Sequence, residues 1–158
     1  MDGLVSNTAL IAGVGAVADA HTVVISGFAG LVAGAFSMAL GEYTSVTTAN
    51  EQLDAEVRME RRALSSHPEE KPSPWVAAGS SFVTFAIGAI VPLIPYFLGF
   101  RSLWLGLLFG GVGLLIAGAV AARFTKKPLW FASLRQLLFG MVAIAATYVV
   151  GHLVGTVV

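Results

Sequence analysis

The chain has 158 residues, 56% of them hydrophobic and 11% charged, with mean hydropathy +0.82, whereas a globular domain carries roughly 25% charged residues. A soluble fold of this size cannot hide so much apolar surface, so the surrounding solvent is lipid and a soluble enzyme is excluded. Nine basic residues balance nine acidic ones, which argues against nucleic acid as a partner, and the lack of cysteine excludes disulfides, thiolate metal sites and a cysteine nucleophile.

A spanning helix needs about 20 apolar residues. Five stretches are expected to span in an all-α, polytopic membrane protein: about 3–20, 23–44, 75–98, 102–123 and 132–154. The first is the shortest. No Lys or Arg precedes it, unlike the basic start of a cleaved signal peptide, so it is read as a span. A short loop at 18–22, carrying Asp19 and His21, leads to the second. Gly27, Gly30, Gly34 and Gly41 in the second span, and Gly106, Gly110, Gly111, Gly113 and Gly118 in the fourth, predict close helix approach.

Residues 45–64 lack Gly and Pro and carry charges at helical spacings, so the second helix is expected to continue past the membrane. Residues 45–73 are read as a cytoplasmic helix and linker. The linker proper is the Pro- and charge-rich stretch 67–74. Ser73 is a plausible N-cap and Pro74 a first helical residue. Pro92 and Pro95 should kink the third helix or end it early. Gly99, Phe100 and Arg101 make a tight turn, and 123–128 is a basic loop. The whole of 1–158 is read as a single membrane domain.

The basic residues orient the chain. Arg58, Arg61, Arg62, Lys71, Arg123, Lys126, Lys127 and Arg135 fall on one side of a five-span topology, with only Arg101 opposite. The positive-inside rule then places the N-terminus in the cytoplasm and the C-terminus outside.

Ionisable groups inside spans are costly and are functional candidates by default. Asp2 opens the first span, near Ser6 and Asn7. Glu42 lies near the cytoplasmic end of the second, four residues after Met38 and hence on the same face. A carboxylate and a thioether beside a glycine-lined seam suit a divalent transition ion. The plainer reading makes Met38 a core filler and lets Glu42 snorkel to the interface. Glu56 and Glu60, with Glu51 and Asp54 as weaker members, form either a solvated helix face with salt bridges or an acidic ladder that gathers cations. His21, His67 and His152 show no ligand spacing. No nucleotide-binding loop or Ser/His/Asp arrangement is visible, so no enzyme is expected.

Asp2-Gly3-Leu4-Val5-Ser6 resembles the opening of the first membrane helix in the vacuolar iron transporter family. Ala29-Gly30-Leu31-Val32-Ala33-Gly34-Ala35-Phe36-Ser37-Met38-Ala39-Leu40-Gly41-Glu42-Tyr43-Thr44-Ser45-Val46 is similar to its second-helix signature, and Asp54-Ala55-Glu56-Val57-Arg58-Met59-Glu60-Arg61 to the acidic helix that follows. Pro74, Ser81, Phe82, Phe85, Gly88, Ala89, Pro92 and Pro95 fit the third helix, and Arg135, Gly140, Thr147, Tyr148 and Gly151 the fifth. The resemblance implies a five-helix homodimer that moves Fe²⁺ or Mn²⁺ out of the cytosol in exchange for protons, with no permanently bound cofactor. It implies Asp2 and Met38 as pore ligands, Glu42 near the cytoplasmic entrance, and Glu56 and Glu60 at acidic positions of a cytoplasmic metal-binding region. Only a remnant of that region fits between the second and third spans. The expected location is the inner membrane of a bacterium, or a vacuolar or other organelle membrane of a eukaryote. Two other readings stay open: a non-transporting membrane module that docks a partner, and a transporter of a different small cation.

Overall fold

A computed structural model describes residues 1–60, 71–125 and 128–157, without the side chain of Glu60. Arg61, Arg62, His67, Lys126, Lys127 and the linker up to residue 70 lie outside the described residues. The order of elements is α1 (Asp2–Gly15), α2 (Ala20–Glu60), α3 (Pro74–Ile90), a 3₁₀ turn (Val91–Leu93), α4 (Ile94–Phe97), α5 (Leu103–Thr125) and α6 (Leu129–Gly155). No strand occurs among the described residues.

Among the described residues four stretches are long and apolar enough to cross a bilayer: Ala20–Met59, Pro74–Phe97, Leu103–Thr125 and Leu129–Gly155. The chain is an integral membrane protein. The first expected span is shorter than its hydropathy suggests. α1 has 14 residues, about 21 Å at the helical rise, against about 30 Å of hydrocarbon. The loop at 18–22 is shorter too. Asp19 Oδ1 accepts the backbone N–H of Thr22 at 2.9 Å. That N-cap lets α2 begin at Ala20 rather than near residue 23. The hydrogen bonds from Thr22 hold the Asp19 carboxyl below the usual carboxylate range.

The long α2 carries its helix to Glu60, as the absence of Gly and Pro after residue 44 predicts. Pro74 opens α3 as expected. Pro92 and Pro95 lack the N–H that would continue its ladder, so α3 stops at Ile90 and tightens into the 3₁₀ turn before α4 resumes. Gly99 closes the stretch with φ +87°, a left-handed conformation that suits glycine. Trp75, Trp104 and Trp130 each stand second in α3, α5 and α6 and are largely uncovered by this chain. Amphipathic aromatic rings favour such positions at the membrane–water boundary.

Contacts divide the chain into two compact units, Met1–Gly34 with Thr84–Val158, and Ala35–Val83. In the first, Ile11, Val23 and Leu93 form a buried apolar cluster with Val14, Tyr96 and Leu107 against it. Glycines let backbones touch. A Cβ on Gly88 would sit 2.9 Å from the backbone nitrogen of Leu4, and one on Gly118 would sit 2.6 Å from the Cα of Ser133. The Thr147 hydroxyl donates to the Ala9 carbonyl at 2.6 Å, tying α6 to α1. In the second unit, α2 and the start of α3 are joined by an edge-on Phe36–Phe82 pair (5.2 Å between centroids) and by Tyr43 against Trp75 (4.8 Å). Asn50 Nδ2 donates to the Pro72 carbonyl at 2.9 Å, and Lys71 pairs with Asp54.

Candidate functional site

The metal-ligand candidates separate by helix and by face. Asp2 is the first residue of α1 and is exposed. Its Oδ1 accepts the Ser6 hydroxyl at 3.1 Å, one turn on. Asn7, expected near Asp2, instead turns inward. It is 2% exposed, and its Nδ2 donates to the Ala89 carbonyl at 2.6 Å. The aspartate keeps one hydroxyl beside it, on Oδ1.

Met38, Glu42, Glu51, Asp54, Glu56 and Glu60 all lie on α2. At 3.6 residues per turn, eighteen residues make about five full turns. Met38 and Glu56 therefore share one register, and Glu42 and Glu60 share another about 40° away. Glu51 and Asp54 fall on the far side of the helix. The strong candidates thus form a single stripe, and the weaker ones do not belong to it. Met38 is 37% exposed, Glu42 is half-buried and Glu56 is exposed.

Between Glu42 and Glu56, Leu40, Gly41, Thr44, Ser45, Thr48, Ala49 and Gln52 line a shallow open depression along the flank of this stripe. A Cβ on Gly41 would meet nothing within 4 Å. Farther up α2, the glycine seam is filled. The place of a side chain at Gly34 is taken by the ring of Phe85, and at Gly30 by Leu10. The seam therefore packs helices at Gly30 and Gly34, and is open at Gly41.

On the opposite face, Glu51, Asp54, Arg58 and Met59 line a second cleft. Asp54 is engaged there. The Lys71 ammonium, donating to Asp54 Oδ1, holds that carboxyl below the usual carboxylate range, with Arg58 adding a smaller effect. The ion pair formed here is Lys71–Asp54, not the Asp54–Arg58 pair at i,i+4 spacing. Among the described residues no three His, Asp or Glu side chains stand close enough together to hold an ion. The donors are spaced along a helix rather than gathered in a cage.

Two structural contacts had no local sequence signal. The Asn7–Ala89 bond joins residues 82 positions apart, and the Thr147–Ala9 bond joins residues 138 apart. Nothing in their neighbourhoods marks either pair.

A family model described as the VIT family matches residues 1–73 and 68–152. The Arabidopsis thaliana protein called vacuolar iron transporter homolog 1 is 41% identical, over 98% of this chain and 79% of its own length. Vacuolar iron transporter homolog 5 of Oryza sativa subsp. japonica is 41% identical over 93% of this chain and 73% of its own length. VIT-like transporter 1b of Glycine max is 37% identical over 98% and 72% respectively. These names describe transporters, and none describes an enzyme.

Proposed function

The chain belongs to the VIT family, a family of transporters rather than enzymes, and from that premise we propose that it carries Fe²⁺, or Mn²⁺, out of the cytosol in exchange for protons. The observation that carries this reading is the unbroken α2. One helix holds a thioether and a carboxylate, Met38 and Glu42, within an apolar stretch. It then presents Glu56 and Glu60 in the same two registers about five turns on. A divalent ion gathered by the acidic end meets small and polar groups at Ser45, Thr48 and Gln52, then Glu42, then Met38. Carboxylate oxygens suit hard and borderline ions, and a thioether shifts preference toward softer ones.

Asp2 supplies the exchange. A carboxylate can hold either a proton or a metal ion, so the same group releases one when it takes up the other. The Ser6 hydroxyl donates to one of its oxygens.

The protein works in this reading as a homodimer with five membrane helices per copy, N-terminus in the cytoplasm and C-terminus outside, as a single membrane domain. The open stripe around Gly41 is the surface offered to the second copy, and two copies double the donors facing the path. Residues 45–73 act as a short cytoplasmic collector. The membrane is a vacuolar or other organelle membrane in a eukaryote and the inner membrane in a bacterium.

The test is Fe²⁺ uptake into proteoliposomes with and without an opposing pH gradient. Uptake that a proton gradient accelerates supports exchange. Uptake indifferent to the gradient removes protons from the account. Purified protein that neither binds nor moves Fe²⁺ or Mn²⁺ selects the docking-module reading, and uptake of a small organic cation in place of metal selects the third.

A further inference from the structure

An open groove of about 500 Å³ runs beside α5. Val112 and Ile116 of α5, both about half exposed, form one wall. Ile87 of α3 and Val91 of the 3₁₀ turn form the other, and the buried Leu4 of α1 is the floor. Gly113 puts no side chain into it. A Cβ there would stand 3.0 Å from Leu4 Cδ1 and 3.2 Å from Val91 Cγ1. The groove follows α5 from Leu108 to Ala117, about 14 Å at the helical rise. That stretch lies within a helix long and apolar enough to cross a bilayer.

One cation stands in line with the groove. Arg123 comes seven residues after Ile116, hence about 20° from it around α5, and about 9 Å beyond Ala117 along the axis. It is exposed. Among the described residues it makes no ion pair, the one such pair being Lys71–Asp54. No Asp or Glu occurs in residues 71–158. An arginine near a helix end lays its stem along apolar surface and reaches the membrane boundary with its charged head.

These features select the occupant. An apolar groove offers a polar ligand or a peptide backbone nothing to bond to. A second copy related by a two-fold axis would set this face against itself, bringing Arg123 toward Arg123. A phospholipid suits both ends. Its phosphate accepts paired N–H bonds from a guanidinium. From Arg123 to Leu108 is about 22 Å along α5, and one leaflet with its headgroups is about 20–22 Å thick.

We propose that the groove holds one acyl chain of a phospholipid whose phosphate is bound by Arg123. Within hydrocarbon the apolar fit gains nothing from leaving water. The chain is held instead by contact with both walls and the floor, and the phosphate by the guanidinium. The site lies apart from the Met38–Glu42–Glu56 stripe of α2 and is independent of which ion the protein moves.

The experiment is native mass spectrometry of the full chain in detergent, titrated with four probes. Dioleoyl phosphatidylglycerol carries both phosphate and long tails. Dioleoylglycerol lacks the phosphate, dihexanoyl phosphatidylglycerol lacks the long tails, and inorganic phosphate lacks tails altogether. The wild type should retain one dioleoyl phosphatidylglycerol in preference to the other three. Arg123→Gln should weaken that retention by about fivefold, the effect of one arginine on an anionic headgroup. Val112→Trp, which fills the groove from an exposed position, should weaken it by about threefold or more. Retention at the wild-type level in either variant would overturn the proposal, as would equal binding of any of the other three probes. A Val112→Trp variant that changes the oligomeric state and keeps the lipid would give the groove to a second copy instead. If Val112→Trp does not fold, Arg123→Gln and the four probes decide.

Discussion

Met38 and Glu56 occupy the same register of α2, eighteen residues and about five turns apart. Glu42 repeats the relationship with Glu60. One face of one helix thus carries Met38, Glu42, Glu56 and Glu60 in two neighbouring registers, while Glu51 and Asp54 fall on the far side.

That division predicts unequal effects among carboxylates of similar spacing. Glu42→Gln and Glu56→Gln should each weaken Fe²⁺ uptake at low metal concentration, by about fivefold or more for the loss of one ligand-strength interaction of about 1 kcal/mol. Glu51→Gln should change it less than twofold. Concentration-dependent uptake in proteoliposomes measures all three. Equal losses at Glu51 and Glu56 would remove the stripe from the mechanism.

Asp54 gives a prediction in pH. Its carboxyl lies below the usual carboxylate range because Lys71 donates to it. A depressed carboxylate stabilises the fold above its unfolded pKa of about 3.9, and that contribution is lost as pH falls through the lower folded value. The pair is exposed, so the stability effect is small. Carboxyl carbon NMR should show Asp54 titrating below ordinary aspartates, and Lys71→Gln should return it to the ordinary range. An unchanged midpoint in Lys71→Gln would assign the shift to another neighbour.

The α1–α6 crossing predicts a steric effect. Gly151 packs against the backbone carbonyl of Gly13, and the Thr147 hydroxyl meets Ala9 one turn away. Because the neighbour is backbone rather than a flexible side chain, Gly151→Ala must separate the helices. Overpacking of this kind costs about 1–3 kcal/mol. Gly41→Ala, where a Cβ would meet nothing within 4 Å among the described residues, should cost only about a few tenths of a kcal/mol. Thermal unfolding in detergent compares the two.

Asn7→Ala should destabilise through the Ala89 carbonyl it leaves without its donor. Polar bonds between membrane helices average about 0.6 kcal/mol, with a maximum near 1.7. Unfolding should therefore shift by an amount of that order, and Ser6→Ala, which removes only the exposed bond to Asp2, should shift it less.

Much of the helix layout was legible in the sequence because its causes are local. Apolar length marked the four long spans, proline at 92 and 95 broke α3, Pro74 began it, and a run without Gly or Pro extended α2 to Glu60. The first span was legible as the shortest, but the start of α2 at Ala20 was not, because hydropathy does not see the Asp19 cap that starts it early. At the site, the i,i+4 pairing of Met38 and Glu42 was plain. The filling of the seam at Gly34 by Phe85, and the turn of Asn7 toward Ala89, depend on residues fifty to eighty positions away. A glycine announces that something comes close, and tertiary packing alone decides what.

The central claim is that Asp2 and Met38 handle the metal ion, and the initial rate of Fe²⁺ uptake by Asp2→Ala and Met38→Ala in proteoliposomes tests it most directly. With both variants folded and inserted as the parent is, uptake should fall at least tenfold in each. Parental rates in both would show that the ion passes without touching either residue.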